Sequence, residues 1–411
     1  MKYIFVMVLL TFAALLSPSA FSLTAQSPDN NDIIALVSGN NDFALSLYSQ
    51  LKNDPKVTKS SGNLFFSSYS ISTALAMTYA GARSTTQSQM ASALKFDLPE
   101  SRLHNAFAAL QNRITNPDKS AGYQLLVANA LWGQAGQPFL KDFLDINLSY
   151  HAKLAQLDFA TQPEPSRQVI NTWVESKTNQ KIKELLPSGS VNGALLVLTN
   201  AVYFKGDWNT EFEAKNTKDE KFAASDSSSV KIKMMHMTGS FKYFENKIFQ
   251  ALELPYKGND LSMIILLPRK SQSLDAAEQT LTPAALNELT AKMYETNVAV
   301  SFPKFKIICG TFSLVPHLEK LGMPIAFTRA ADFSAMTGRH DVLISDVLHK
   351  AFVEVNEQGT EAAAATAVVM KIGNAMAAQT PIFRADHPFF FIIKHNPSNS
   401  LLFLGRLLKP S

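Results

Sequence analysis

The chain has 411 residues, 46% of them hydrophobic and 18% charged, with a formal net charge of +4. Its basic residues are scattered, which gives no ground for a nucleic-acid partner. Cys309 is the only cysteine, which excludes an intramolecular disulfide and leaves stability to a core that a chain this long can build.

Met1, Lys2 and Tyr3 precede an apolar run over residues 4–16, and small residues follow up to Ser22. This is the pattern of a secretory leader, with cleavage predicted after Ser22 and export to the extracellular space, or to the periplasm in a bacterium. The run is shorter than the roughly 20 residues needed to cross a bilayer. No later run is long enough either, so residues 23–411 are predicted to be soluble, with no membrane partner. A length prior of about 150 residues per domain would suggest two or three domains. No linker supports that division. The clearest polar patch, residues 223–229, is short and runs straight into strand-like sequence, so it reads as a surface loop. The sequon Asn147-Leu148-Ser149 would matter only in a eukaryotic secretory route.

Enzyme signatures are missing. There is no HExxH, no GxSxG elbow, no P-loop and no paired CxxC, and His236 and His340 lack a partner at metal-ligand spacing. No catalytic residue, cofactor or metal is predicted. Cys309 follows Ile307 and Ile308 and reads as a core thiol. His349 alternates with Ala351, Val353 and Val355, so it is predicted to point inward from a strand as a structural histidine. Further on, residues 357–370 read EQGTEAAAATAVVM. Laid out as a strand, Thr360, Ala362, Ala364, Thr366, Val368 and Met370 share an uncharged face. Glu361 and Lys371 fall on the other face. Ala and Glu favour a helix there, whereas Thr366, Val368 and Val369 favour a strand, so this window alone leaves both open.

Its surroundings are more specific. SDVLHKAFVEVNEQGTEAAAAT (residues 345–366) and FRADHPFFFII (383–393) closely resemble the hinge and C-terminal signature of the serpins, a family of protease inhibitors. NLFFSSYSISTALAMTYAGA (63–82), WVESKTNQKIKELLP (173–187), LVLTNAVYFKGDW (196–208), LELPYKGNDLSMIILLP (252–268), FPKFKI (302–307) and LEKLGMPIAFTRAADFSAM (318–336) match further blocks of that family in order. The resemblance implies a single α+β domain over residues 23–411, with mixed β-sheets, a large central sheet, about eight to nine helices and an exposed reactive-site loop near residues 357–382. It also implies a monomer that inhibits a protease. The cut loop inserts into the central sheet while the protease is still joined as an acyl-enzyme.

By the same resemblance the hinge comprises Glu357, Gly359, Thr360, Glu361, Ala362, Ala363, Ala364, Ala365 and Thr366. His349 becomes the histidine beneath the parting strands, with Ser67 and Asn200 as neighbours. Trp208 belongs at the top of the sheet, although read alone it is equally an ordinary core indole. Ser68 stands where the family commonly has proline, and a serine there can cap the following helix through its hydroxyl. In heparin-binding members a helix is basic. Here residues 93–113 mix Lys95, Arg102 and Arg113 with Asp97 and Glu100, which argues against heparin. Counting fourteen residues from Gly359 places the scissile bond at Gly373–Asn374, with Met370, Lys371 and Met376 as alternative positions. Glycine suits small-pocket serine proteases of elastase or subtilisin type. Ile372 would suit a papain-like cysteine protease. A carrier or chaperone that does not inhibit is the remaining alternative, although bulky or charged blocks are missing from Ala362 to Ala365.

Overall fold

Strand Leu196–Asp207 is buried at nearly every position, as a strand covered on both faces must be. Its residues alternate between two cores: Leu196, Leu198, Val202 and Phe204 face the larger one, Val197 and Ala201 a smaller one. The computed structural model describes residues 29–115, 122–360 and 380–410. Within them the strands, in chain order, are β1 (Leu64–Phe66), β2 (Tyr123–Gln134), β3 (Lys153–Leu157), β4 (Leu196–Asp207), β5 (Lys218–Ala223), β6 (Ser229–Glu245), β7 (Phe249–Pro255), β8 (Leu261–Pro268), β9 (Tyr294–Pro303), β10 (Phe305–Ile308), β11 (Phe312–Ser313), β12 (Asp346–Val355), β13 (Gly359–Thr360), β14 (Ile382–Arg384), β15 (Phe389–His395) and β16 (Ser400–Leu407). Residues 224–228 form the turn between β5 and β6.

The strands make two sheets. The central one runs β10-β12-β13-β4-β2-β3, with β11 on β12; the other runs β1-β16-β15-β8-β7-β6-β9-β14, with β5 on β6. In the central sheet β4 is antiparallel to β2 but parallel to β12, which leaves β12 and β4 as the central parallel pair. Beneath them lies the helix Ser68–Tyr79, every residue of which is buried, consistent with its lack of a polar face. Ser67, not Ser68, caps it: the Ser67 hydroxyl accepts from the Ser70 N–H at 3.2 Å, while the Ser68 hydroxyl donates to the Leu401 carbonyl at 3.1 Å. Ser68 already lies inside the first turn, where its hydroxyl is spent on β16.

The opposite face of the sheet is roofed by the helix Pro163–Lys177. Ile170 and Val174 from that helix, with Leu185 and Leu186 beyond it, pack onto Trp132, Val197, Ala201 and Leu348. Trp173 meets Trp132 edge-on at 5.4 Å, and the Lys153 ammonium lies 5.0 and 5.7 Å from the two rings. Asn147 of the sequon is only 2% exposed and donates to the Phe143 carbonyl at 2.9 Å, so a glycan has no room there in this fold.

Candidate functional site

The parallel pair β12–β4 does not run the full height of the sheet. It joins residues 346–352 to residues 197–203, and above that level the two strands part. The gap holds β13, two residues long and antiparallel to both neighbours: Thr360 pairs with Val355 on one side and Gly206 on the other, and Gly359 pairs with Asp207. Gly359 is there because the backbones touch. A Cβ at this position would lie 2.0 Å from the Gly206 carbonyl oxygen. Thr360 is fully buried, and its hydroxyl is 2.8 Å from that of Tyr256.

Around this wedge sits a cluster that closes the top of the sheet. Trp208 stacks on Tyr256 with centroids 4.6 Å apart, and its indole N–H donates to the Asn356 carbonyl at 3.1 Å. The Trp208 backbone N–H donates to the Gln358 carbonyl at 2.7 Å. The Asn356 side chain accepts from the N–H groups of Gln358 and Gly359, which bends the chain from β12 back into β13. Glu357 accepts from the Lys304 ammonium at 2.7 Å and from the Thr217 hydroxyl at 2.9 Å. Burial would raise the Glu357 carboxyl, but these partners outweigh it and hold it below the usual range.

Lower down, a second cluster joins the two central strands. His349 and Asn200 face each other in register, with His349 Nδ1 at 2.5 Å from Asn200 Oδ1. His349 Nε2 accepts from the Ser67 N–H at 3.4 Å, so the proton belongs on Nδ1 and is donated to Asn200. The Asn200 amide donates to the Ser70 hydroxyl and to Asn129 Oδ1, both at 2.5 Å, and the Ser67 hydroxyl donates to the Leu402 carbonyl. Ser67, Asn200 and His349 thus meet, joined by Ser70 and Asn129. Trp208 stands apart, with the upper cluster.

Burial pushes His349 down to about 3, and His104 and His395 to about 4. These imidazoles stay neutral when folded but take up protons near pH 6.5 when unfolded. Their contribution is therefore complete above that pH and is lost progressively as pH falls from about 6.5 towards 4 and below. Urea unfolding between pH 7 and 5 is expected to show stability falling by up to about 1.4 kcal/mol per pH unit for each such histidine. His349→Gln should flatten part of that slope; an unchanged slope would show that His349 does not contribute.

The distal end of the segment is also tied down. β14 lies parallel to the edge of β9, and Arg384 binds Glu220 and, at 3.0 Å, Asp386. Burial opposes ionisation of Asp386, but His387, Lys270 and Arg384 hold its carboxyl at about 2. Cys309 is buried and accepts from the Phe65 N–H at 3.2 Å, and burial raises its thiol to about 11, which suits a packing role. His236 bonds Glu220 and Ser301, and His340 faces Asp332. No group of His, Cys, Asp and Glu fit to hold a metal occurs among the described residues. Hinge positions Glu361, Ala362, Ala363, Ala364, Ala365 and Thr366 lie outside the described residues. So do Gly373, Asn374, Met370, Lys371 and Met376, and residues 1–22.

The resemblance implies a loop exposed from about residue 357, whereas here Glu357, Gly359 and Thr360 are buried and β13 is already wedged between the parted strands. The family model described as "Serpin (serine protease inhibitor)" matches residues 38–410. The chain belongs to the serpin family. Members of the family are generally non-catalytic inhibitors. This serpin is 42% identical to the leukocyte elastase inhibitor of Equus caballus over 387 residues, 91% of this chain and 99% of that one. It is 40% identical to serpin B3 of Homo sapiens over 395 residues, 92% of this chain and 100% of that one. Human thyroxine-binding globulin complexed with its hormone superposes with a TM-score of 0.83 at 28% identity, covering 92% and 100% of the two chains. The thermophilic serpin tengpin in its native state gives 0.81 at 29%, covering 93% and 95%. The α+β serpin fold accounts for the two sheets, the roof helix and the helix beneath.

Proposed function

We propose that this serpin is a secreted, single-use inhibitor of an endopeptidase, trapping the acyl-enzyme by drawing its cut loop into the central sheet. The observation that carries this reading is the register of β13. Gly359 opposes Asp207 and Thr360 opposes Gly206, so continuing in the same direction brings Thr366 opposite Asn200. The pairing of Thr360 with Val355 extends to place Thr366 opposite His349 as well. Val355 and Gly206 keep the offset that pairs His349 with Asn200, so a continued strand would carry Thr366 between the two partners of the lower latch. Met370 would then reach Leu196, the first residue of β4. A cut at Gly373–Asn374 frees enough chain to fill that length.

The driving force follows from the geometry. Insertion replaces one parallel pairing by two antiparallel ones, which are slightly the more stable kind. Each added hydrogen bond contributes about 1 kcal/mol net, and apolar burial adds about 25 cal/mol per Å². An intact loop is held at both ends, by the Glu357 and Trp208 cluster and by the Arg384 anchor. Cleavage releases one end. The attached protease is then displaced, and a catalytic centre tolerates little displacement.

For the target, a small-pocket serine protease is the reading we favour, since Gly373 offers no side chain to a specificity pocket. The name of the horse relative, leukocyte elastase inhibitor, points the same way. The leader over residues 1–22 supports secretion. Incubation with elastase-, subtilisin-, trypsin- and papain-like enzymes is expected to give a complex with the first or second that survives denaturing gels, and mass spectrometry of the released C-terminal fragment should begin at Asn374. Cleavage without trapping by all four would refute inhibition, and a trapped papain-like enzyme would move the target to the cysteine proteases. The clipped protein should also melt about 10 °C or more above the intact one, from about a dozen residues newly ordered in the sheet.

A further inference from the structure

The second sheet borders a cleft whose rim includes Asp386, the partner of the Arg384 anchor. It opens between the β5–β6 hairpin, residues 268–275 and residues 386–388, and its volume is about 860 Å³. That lies within the range of small-molecule sites. Leu274, Pro388 and Leu408 line it as half-buried apolar side chains, and Lys221 and Lys270 line it as exposed cations.

The charges around this cleft are unequally committed. Asp386 already accepts from Arg384 at 3.0 Å and contacts His387 at 2.8 Å, so Lys270 reaches it only at 3.6 Å. Asp275 is exposed and lies 3.7 Å from Lys52, whose ammonium binds Glu278 more closely, at 2.5 Å. Arg406 also borders the cleft but is turned into its wall, bonding the carbonyls of Gly62 and Lys52. Lys221 makes no ion pair among the described residues. Among the described residues Lys221 is therefore without an ion pair and Lys270 is held only at 3.6 Å, both beside an apolar surface. A neutral apolar guest would strip water from the lysines without replacing it. An inorganic anion would leave the apolar wall wet.

We propose that this cleft binds a small amphipathic organic anion, its apolar body against Leu274, Pro388 and Leu408 and its carboxylate, sulfonate or phosphate held by Lys221 and Lys270. The probes are 8-anilinonaphthalene-1-sulfonate and the uncharged N-phenyl-1-naphthylamine, titrated by fluorescence into the intact protein. The sulfonate is expected to bind saturably at one site, at least tenfold tighter than the neutral probe. Lys221→Ala with Lys270→Ala should weaken the sulfonate about tenfold and leave the neutral probe unchanged, while Leu274→Asp should weaken both. Hydrogen exchange should slow over residues 268–275 and 386–388 when the sulfonate is bound. Both lysines are exposed, so the double variant should melt with the parent protein. Equal sulfonate affinity in the double variant, no saturable binding, or protection confined to other segments would overturn the assignment.

Discussion

Thr360→Arg is expected to convert this serpin from an inhibitor into a substrate. Thr360 has no solvent exposure, and its hydroxyl meets Tyr256 within a stack that also includes Trp208. An arginine at that position must either bury an unpaired guanidinium, at a cost of roughly several kcal/mol, or keep β13 out of the sheet. Expulsion of β13 is the cheaper course, and it adds the cost of re-entry to the first step of insertion, which competes with hydrolysis of the acyl-enzyme. Each 1.4 kcal/mol added to that barrier slows insertion about tenfold, so a cost of about 3 kcal/mol shifts the competition about a hundredfold towards hydrolysis. On denaturing gels the covalent complex should give way to cleaved protein, with the rate of cleavage itself little changed. Undiminished trapping by the variant would refute entry of the loop through the gap between β12 and β4.

Glu357→Lys should weaken the closed state of the same gap. The wild-type carboxylate is 7% exposed and bridges Lys304 and Thr217; a lysine would put two ammonium groups together and leave the Thr217 hydroxyl without its acceptor. Loss of a fully buried pair costs about 3–5 kcal/mol. Lys304 is more than a third exposed, so solvent screens this pair and the cost should be nearer 2 kcal/mol, or a fall of roughly 2–3 °C in melting temperature. A larger effect is expected in how the molecules associate. With the top of the sheet loosened, the edges of β4 and β12 become open to a loop from a second molecule, a head-to-tail contact that does not close on itself. Size-exclusion chromatography after mild heating should show oligomers growing severalfold faster than in the parent protein. Restoring the opposite charge with Lys304→Glu should slow them again. If the double variant oligomerises as fast as the single one, the ion pair is not what holds the gap shut.

The sequence reveals parts of this arrangement for identifiable reasons. The inward direction of His349 could be read from its alternation with Ala351, Val353 and Val355, because a strand has a period of two. The meeting of Ser67, Asn200 and His349 could not be read from spacing, since they lie on three separate elements; only the resemblance brought them together. Asn129 was legible in principle: it is a lone amide within the apolar run of β2, and a buried polar group in such a run requires partners. Tyr256, Lys304 and Thr217 left no comparable signal, because their roles arise from the crossing of chain segments far apart in sequence. Ser67 and Ser68 are chemically alike, and only the start of the helix decides which one caps it. The composition of the sequon at Asn147 gives no sign that the helix Lys141–Ser149 turns its asparagine inward.

The roof over the central sheet has a consequence for timing. A strand entering between β4 and β12 would part Leu348 from Val197 and Ala201, which share a hydrophobic cluster with Ile170 and Val174 of the helix Pro163–Lys177. On the proposed mechanism that helix would have to rise and settle again within the lifetime of the acyl-enzyme. Its Trp173 stands edge-on to Trp132, with a lysine ammonium beside both rings. Each lift of the lid would briefly separate the two indoles, so the chain carries a built-in optical stopwatch for the race it must win.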